Sequence, residues 1–237
     1  MFWALLLTIL TPSQVDEKGV PIGYNKAMDI LTAAKVQSYY SKIKDFKGSF
    51  KHIYVKRYHG KQKPRYGYLW VKKPGMMYWR YDAPQKRHFV CDGKKIWIYT
   101  PGDKQVLWRR VERSQLPSAV KFLFGSGQLL SEFFVKRLPK SKYGGKGKVV
   151  LKLKPIKPTS HYSHILFVLK PQGQMAKVTE TLVYDALGNK NHYIFKNTKL
   201  NTRIQAKRFK FKPPKGVRVI HATKKAKIKP RPDTPPP

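Results

Sequence analysis

The fold of this chain is decided by residues Tyr66–Pro101, which read YGYLWVKKPGMMYWRYDAPQKRHFVCDGKKIWIYTP. The stretch divides into short runs rich in aromatic and β-branched residues, a composition that favours strands. The runs are separated by turn signals at Lys72–Gly75, Asp82–Pro84 and Asp92–Gly93. Asp-Gly between two such runs is a strong hairpin signal, and we expect positive φ at both of its residues. The stretch therefore predicts a meander of antiparallel β-hairpins.

The second run shows how its side chains divide between two faces. Successive side chains of a strand project to opposite sides, so Met77, Trp79 and Tyr81 share one face. The other face carries Arg80 and Asp82, whose charges favour contact with water. The apolar face fits either an ordinary β-sandwich core or the wall of an aromatic-lined pocket for an apolar ligand. This strand by itself leaves both interpretations open.

Length and charge limit the classes of protein to consider. The chain has 237 residues, enough for one substantial core, and its single cysteine, Cys91, excludes an intramolecular disulfide. It contains 50 Lys+Arg against 12 Asp+Glu, a formal net charge of +38, which is typical of proteins that bind nucleic acid or anionic membranes. The lysines, however, are spread along nearly every strand and turn, and no zinc-finger, RNP-type or helical basic motif occurs. We therefore expect no binding of nucleic acid.

Three segments are expected along the chain. Residues Phe2–Leu10 are apolar but too few to span a bilayer, and small residues around Ser13 follow them, so residues 1–13 are predicted to be a signal peptide. Residues 24–220 are predicted to form one β-rich domain. Residues 223–237 are basic and rich in proline, without periodicity, and are predicted to be a disordered tail.

Helical patterns interrupt the strands at two places. Between Asn25 and Ile43 apolar residues recur three and four apart, which predicts an amphipathic helix. Its apolar face is expected to consist of Ala27, Ile30, Leu31, Ala34, Ser38 and Ile43. A short, strongly apolar helix is predicted over Ser114–Gly125, and a helix or a strand over Leu129–Leu138.

The rest of the chain is predicted to be strands. These are Asp45–Tyr58, Lys104–Val111, Lys148–Lys154, His164–Lys170, Lys177–Tyr184, Lys190–Phe195 and Arg208–Lys212. A hairpin turn is expected at Asp185–Asn189, where Gly188 is free to adopt positive φ.

The residues offer no catalytic constellation. The chain has no phosphate-binding glycine loop, no serine nucleophile elbow and no His-Glu-x-x-His helix. Its histidines lack carboxylate partners in sequence, and we expect exposed loop positions for His52, His59, His161 and His164. The chain is therefore predicted to be neither an enzyme nor a protein with a metal site or cofactor.

Ordered motifs point to a known family. They are GYLWVKKPGMMYW (Gly67–Trp79), VCDGKKIWIYTP (Val90–Pro101), DALG (Asp185–Gly188) and FKFKPPKGV (Phe209–Val217). In this order and spacing the chain resembles the periplasmic outer-membrane lipoprotein carrier family, LolA. The resemblance implies a mainly β (α+β) fold, a strongly curved antiparallel sheet that forms a half-open barrel. An N-terminal helix and short mid-chain lid helices would close it.

The resemblance also implies a function and a site. Members of the family shelter the acyl chains of lipoproteins in the periplasm, receive them from an inner-membrane ABC complex and deliver them to an outer-membrane acceptor. Exposing acyl chains to water costs about 0.8 kcal/mol per methylene, so a soluble carrier needs an apolar cavity, and transient membrane contact is expected. The cavity residues implied are Leu69, Val71, Met77, Trp79, Tyr81, Phe122 and Leu123.

Two positions depart from the family pattern. Lys73 stands where many members carry an arginine that is thought to hold the lid closed. Lys73 is therefore the implied lid latch, although lysine lacks the planar fork of five donors. Met77 stands where phenylalanine is usual, and its adaptable side chain suits acyl chains.

Two alternatives to a carrier remain. One is a lipid-binding sensor or outer-membrane acceptor built on the same fold. The other is a basic nucleic-acid-binding β protein, against which the apolar lid helix and the possible export signal count.

Overall fold

The computed structural model describes residues 15–111, 128–139 and 141–221. The predicted signal peptide, the predicted helix over 114–125 and the predicted basic tail lie outside the described residues. Within the described ranges, no helix combines the length and apolar character needed to cross a membrane.

A single large sheet organises the described residues. Its strands are β1 (Asp45–Lys56), β2 (Gly60–Lys61), β3 (Arg65–Lys72), β4 (Met76–Tyr81), β5 (Arg87–Asp92), β6 (Lys95–Thr100), β7 (Gln105–Arg110), β8 (Phe133–Arg137), β9 (Val149–Pro155), β10 (His164–Gln172), β11 (Met175–Tyr184), β12 (Lys190–Leu200) and β13 (Arg218–His221). The helices are α1 (Ala27–Ser41) and α2 (Leu129–Glu132), and short 3₁₀ turns occur at Pro101–Asp103 and Ala206–Phe209.

The strand order is β13-β7-β6-β5-β4-β3-β1-β12-β11-β10-β9-β8, with β2 paired to β1. The sheet is curved and open, since β8 and β13 end it without pairing to each other, and the predicted mainly β class is confirmed. Register shifts at Lys47/Ser49 and Val168/Leu169 mark bulges, which bend strands. Neighbours are antiparallel except β13, which runs parallel to β7.

The predicted hairpin at Asp92–Gly93 is confirmed, but its expected backbone is wrong. Only Gly93 has positive φ, at 94°. The Asp92 Oδ1 atom accepts the N–H groups of Lys94 and Lys95 at 2.8 and 2.7 Å. The central pair is thus Gly93–Lys94, with glycine first as in a type II′ turn.

Helix α1 lies within two residues of each predicted end, but of its predicted apolar face only Ile43, just beyond the helix, is buried. Ile30 and Leu31 are 40% and 48% exposed. The helix docks instead through Asp29, Ala33, Val36, Tyr39 and Tyr40, and it packs against β11, β8 and β9. We call the face of the sheet under α1 the inner face, and the opposite one the outer face.

The end of the chain also differs from the prediction. The expected strand over Arg208–Lys212 is a 3₁₀ turn followed by irregular chain, and this segment crosses the outer face at β4 and β5. Phe209 is fully buried there. The ring of Phe211 lies 5.7 Å from Trp97 and 5.8 Å from Tyr99. Burial of these rings against the sheet replaces the ladder pairing that a strand would make.

Candidate functional site

The site residues predicted on β3 and β4 lie together on the inner face. The register pairs Leu69 with Trp79 and Val71 with Met77, so these four side chains share one side of the sheet. Leu69, Val71 and Met77 are at most 3% exposed, Tyr81 is buried, and Trp79 is half-buried against the same cluster. Phe122 and Leu123 lie outside the described residues.

The same apolar cluster extends under α1, which supplies residues that the sequence analysis missed. Tyr39 and Tyr40 from the last turns of α1 meet Phe46 and Phe50 from β1. The alternation of apolar and polar residues along β1 indicates that the two phenylalanines are buried. The two tyrosines were missed because the wrong face of α1 was predicted to be buried. The inner face and α1 therefore form one apolar interior.

A cavity of about 20 Å³ lies within this interior. Of the predicted residues, Leu69 and Trp79 line it, together with Tyr39, Tyr40, Phe46, Gly48, Lys177, Val178, Phe195, Thr198 and Leu200. Such a volume holds about one water-sized group.

Lys73 joins the turn between β3 and β4 to the end of α1. Its Nζ donates to the carbonyl oxygen of Tyr40, and its backbone N–H donates to the carbonyl of Lys44 at 2.9 Å. The carbonyls at a helix C-terminus carry partial negative charge, so a cation there is favourable. Partial burial lowers the pKa of Lys73. The position fits a contact that holds the helix against the sheet.

His52 lies inside the protein, and the prediction of an exposed loop position is wrong for it. It belongs to β1 and is 1% exposed. Its Nε2 lies 3.0 Å from Asn191 Oδ1, its Nδ1 lies 3.2 Å from the Tyr81 hydroxyl, and its ring stacks on Tyr193 at 4.3 Å. A neutral imidazole has one N–H, so Nε2 donates to Asn191 and Nδ1 accepts from Tyr81. Desolvation lowers the pKa of His52 to about 4.

Of the other three histidines with this prediction, the exposed loop position is confirmed for His59 and His161 and wrong for His164. His164 is half-buried in β10, with its ring stacked 4.3 Å from that of Tyr184. Cys91 is buried, where desolvation raises its thiol pKa to about 11. Among the described residues, no three His, Cys, Asp or Glu side chains converge in a way that suits a metal ion.

The family can now be assigned. The family model described as "Outer membrane lipoprotein carrier protein LolA" matches residues 41–212, most of the folded part of the chain. The chain belongs to the LolA family. The LolA match begins at the last residue of α1, so β1 to β12, including Lys73 and the inner-face residues of β3 and β4, lie within it.

Individual relatives agree with this assignment. The outer-membrane lipoprotein carrier protein of Pseudomonas paraeruginosa is 29% identical over 155 residues, which cover 65% of this chain and 70% of the relative. That of Bordetella pertussis is 29% identical over 186 residues, covering 78% of this chain and 84% of the relative. A solved structure, an uncharacterized conserved protein from Thermus thermophilus, matches with a TM-score of 0.50 at 8% identity, covering 83% of this chain and all (100%) of that one, and shares the fold. Together the names support a lipoprotein-carrier role on a LolA fold.

Proposed function

We propose that this protein is a periplasmic carrier that shields the acyl chains of lipoproteins between α1 and the inner face of the sheet. It would take its cargo from an inner-membrane ABC complex and pass it to an outer-membrane acceptor, in transient contact with the membranes. The observation that carries the proposal is the continuous apolar interior under α1, in a chain whose relatives are named lipoprotein carriers. The role requires no catalytic group and no cofactor.

The energetics are compatible with loading from a closed state. Separation of α1 breaks the hydrogen bond from Lys73 to Tyr40, and a charged hydrogen bond of this kind contributes about 1.5–3 kcal/mol. Sheltering ten methylenes recovers about 8 kcal/mol. Acyl chains therefore suffice to offset the loss of this contact, while an empty carrier stays closed.

The direct test places a charge on the inner face. We expect Met77→Glu and Trp79→Asp to lower binding of an acylated lipoprotein at least tenfold, because a carboxylate in the interior opposes burial of acyl chains. Binding is measured with the purified lipoprotein, and circular dichroism checks that each variant folds. If Met77→Glu fails to fold, Trp79→Asp still provides the test, because Trp79 is only half-buried.

Tyr68→Glu is the matched control, because Tyr68 is 44% exposed and lies on the outer face of β3. It is expected to bind cargo as the wild type does. Folded inner-face variants with undiminished binding would contradict the proposed site. Protein isolated empty, and from the cytoplasm rather than the periplasm, would contradict the carrier function itself; a sensor on the same fold would bind lipid but would not transfer lipoprotein between membranes.

A further inference from the structure

We propose that Thr181, together with its neighbours Tyr193 and His52, forms a site for the carbonyl oxygen of an acyl ester or amide. The inference rests on the proposed carrier function. Beyond that function, it identifies the chemical group of the cargo that lies next to Thr181, and hence the direction in which the cargo is bound.

The three residues form a row across three adjacent strands. Thr181 on β11 pairs with Tyr193 on β12, and Tyr193 pairs with His52 on β1. The next residue of the row on β10 is Phe167, which is fully buried in the inner apolar cluster. Directly paired residues point to the same side of a sheet, so the row faces the interior.

The Thr181 hydroxyl is the group that lacks a partner. Thr181 is 2% exposed, and its buried Oγ1 makes no hydrogen bond. Buried hydroxyls normally find a partner, because water no longer satisfies them. Thr179, two residues earlier on the same strand, follows this rule and donates to the carbonyl of Val168 at 3.1 Å. The Thr181 hydroxyl is thus a donor directed into an apolar interior and available to an acceptor.

The neighbours of Thr181 hold the row rigid. His52 uses both ring nitrogens, on Asn191 and on Tyr81, and stacks on Tyr193. The Tyr193 ring is further held against Trp79, with ring centroids 5.4 Å apart. His52 is neutral in this network, so the row presents the Thr181 hydroxyl between uncharged rings. A neutral carbonyl oxygen, which accepts hydrogen bonds and carries no charge, suits such a surface.

The row lies close to the cavity described above. Tyr193 of the row packs on Trp79, which lines the cavity, with ring centroids 5.4 Å apart, and Phe50 packs beside both rings. Beyond Trp79 the cavity is lined mainly by apolar side chains, with Lys177 and Thr198 among them, and it reaches Tyr40 at the end of α1, where Lys73 donates its hydrogen bond. A loaded acyl lipid therefore lies lengthwise, with its carbonyl at Thr181 and its chain extending toward Lys73.

The test compares two lipids that differ only in the carbonyl groups that join their two chains to glycerol. One is dipalmitoyl phosphatidylglycerol, and the other is its dihexadecyl ether analogue with the same headgroup and chain length. We expect the wild type to bind the ester about tenfold more tightly, the effect of one hydrogen bond. Thr181→Val removes the hydroxyl at nearly constant shape and is expected to abolish this preference, leaving ether binding unchanged. Removing an unpartnered hydroxyl should also raise the Tm of the empty protein.

Thr179→Val is the matched control, because its hydroxyl is already bonded within the sheet. It should retain the ester preference. Equal binding of ester and ether by the wild type, or an undiminished preference in Thr181→Val, overturns this inference but leaves the carrier function intact; a structural water on Thr181 would give that result. Binding of neither lipid by the wild type overturns the carrier function and this inference with it.

Discussion

At the scale of single residues, burial changes the chemistry of His52 most. The side chain lies within the sheet beside Asn191 and Tyr81, and the positive charge of Arg65 acts on it as well. Desolvation and this charge lower its pKa, while the hydrogen bond to Asn191 opposes the shift. The folded protein therefore holds a neutral imidazole at a pH where an unfolded chain is already protonated.

The lowered pKa predicts a loss of stability in acid. Between about pH 6.5 and pH 4 the unfolded chain binds a proton at His52 that the folded protein does not, so the free energy of unfolding falls as the pH falls. The contribution is fully present above pH 6.5 and is lost by about pH 4, and the whole shift corresponds to about 3 kcal/mol. Urea unfolding at pH 7.5 and pH 4.5 measures it.

His52→Gln should depend less on pH than the wild type over this interval, because the titrating group is gone. His161→Gln, at an exposed position, should keep the dependence of the wild type. An identical pH dependence in His52→Gln and the wild type would contradict the assignment.

At the scale of elements, polar contacts with β8 fix the rotation of α1. The side chain of Asn25, just before the helix, accepts the N–H of Val135 at 2.8 Å, and Asp29 accepts that of Arg137 at 2.8 Å. Gln37 accepts the N–H of Leu129 at 3.1 Å. An edge strand has unpaired N–H groups, and Asn25 and Asp29 satisfy two of them on β8, while Gln37 satisfies an N–H at the start of α2. The docked face of α1 is therefore partly polar, and apolar residues remain on the outside.

This rotation predicts opposite effects for two helix substitutions. Asp29→Ala should lower the free energy of unfolding by about 1–3 kcal/mol, because the buried N–H of Arg137 loses its acceptor. Leu31→Ala should change it by less than about 0.5 kcal/mol, because Leu31 is 48% exposed. Urea unfolding of both variants provides the measurement. A larger loss of unfolding free energy for Leu31→Ala than for Asp29→Ala would contradict this rotation and support the buried face that periodicity predicts.

At the scale of the whole molecule, the proposed carrier function requires α1 to move against the sheet. The cavity lined by Leu69 and Trp79 has a volume of about 20 Å³ and would have to enlarge to hold an acyl chain, while the hydrogen bond from Lys73 to Tyr40 holds α1 against the sheet. Any interaction made only in the closed state reduces the apparent affinity for a ligand that needs the open state. The lid contact should therefore set both the stability of the empty protein and its affinity for cargo.

Lys73→Met removes this contact and should act on both quantities in opposite directions. We expect the free energy of unfolding of the empty protein to fall by about 1–3 kcal/mol, and the affinity for an acylated lipoprotein to rise about tenfold. Lys73→Arg keeps a cationic donor and should stay near the wild type. Unfolding curves and binding titrations measure the two effects. Unchanged affinity in Lys73→Met would show that Lys73 does not hold the lid.

The sequence alone determined the β3–β6 meander, its turns and the inner face of β4. These features depend on alternation and on turn residues, which act over a few positions of the chain. The ordered motifs in the same region also pointed to the LolA family, which the family match confirms. The backbone geometry at Asp92 was predicted wrongly although its cause is local, because the aspartate side chain accepts the backbone N–H groups of Lys94 and Lys95 and the central pair of the turn is one residue later.

Only the tertiary structure decided the features that depend on distant contacts. Asp29 meets Arg137 from 108 positions away, and His52 meets Asn191 from 139. Helical periodicity places apolar residues on a common face, but it does not say which face satisfies the edge of a sheet formed a hundred residues later. The same holds for the burial of Phe209 on the outer face, for the unpartnered hydroxyl of Thr181 and for the size of the interior. Each depends on how the strands pack together, whereas alternation predicts only the individual strands.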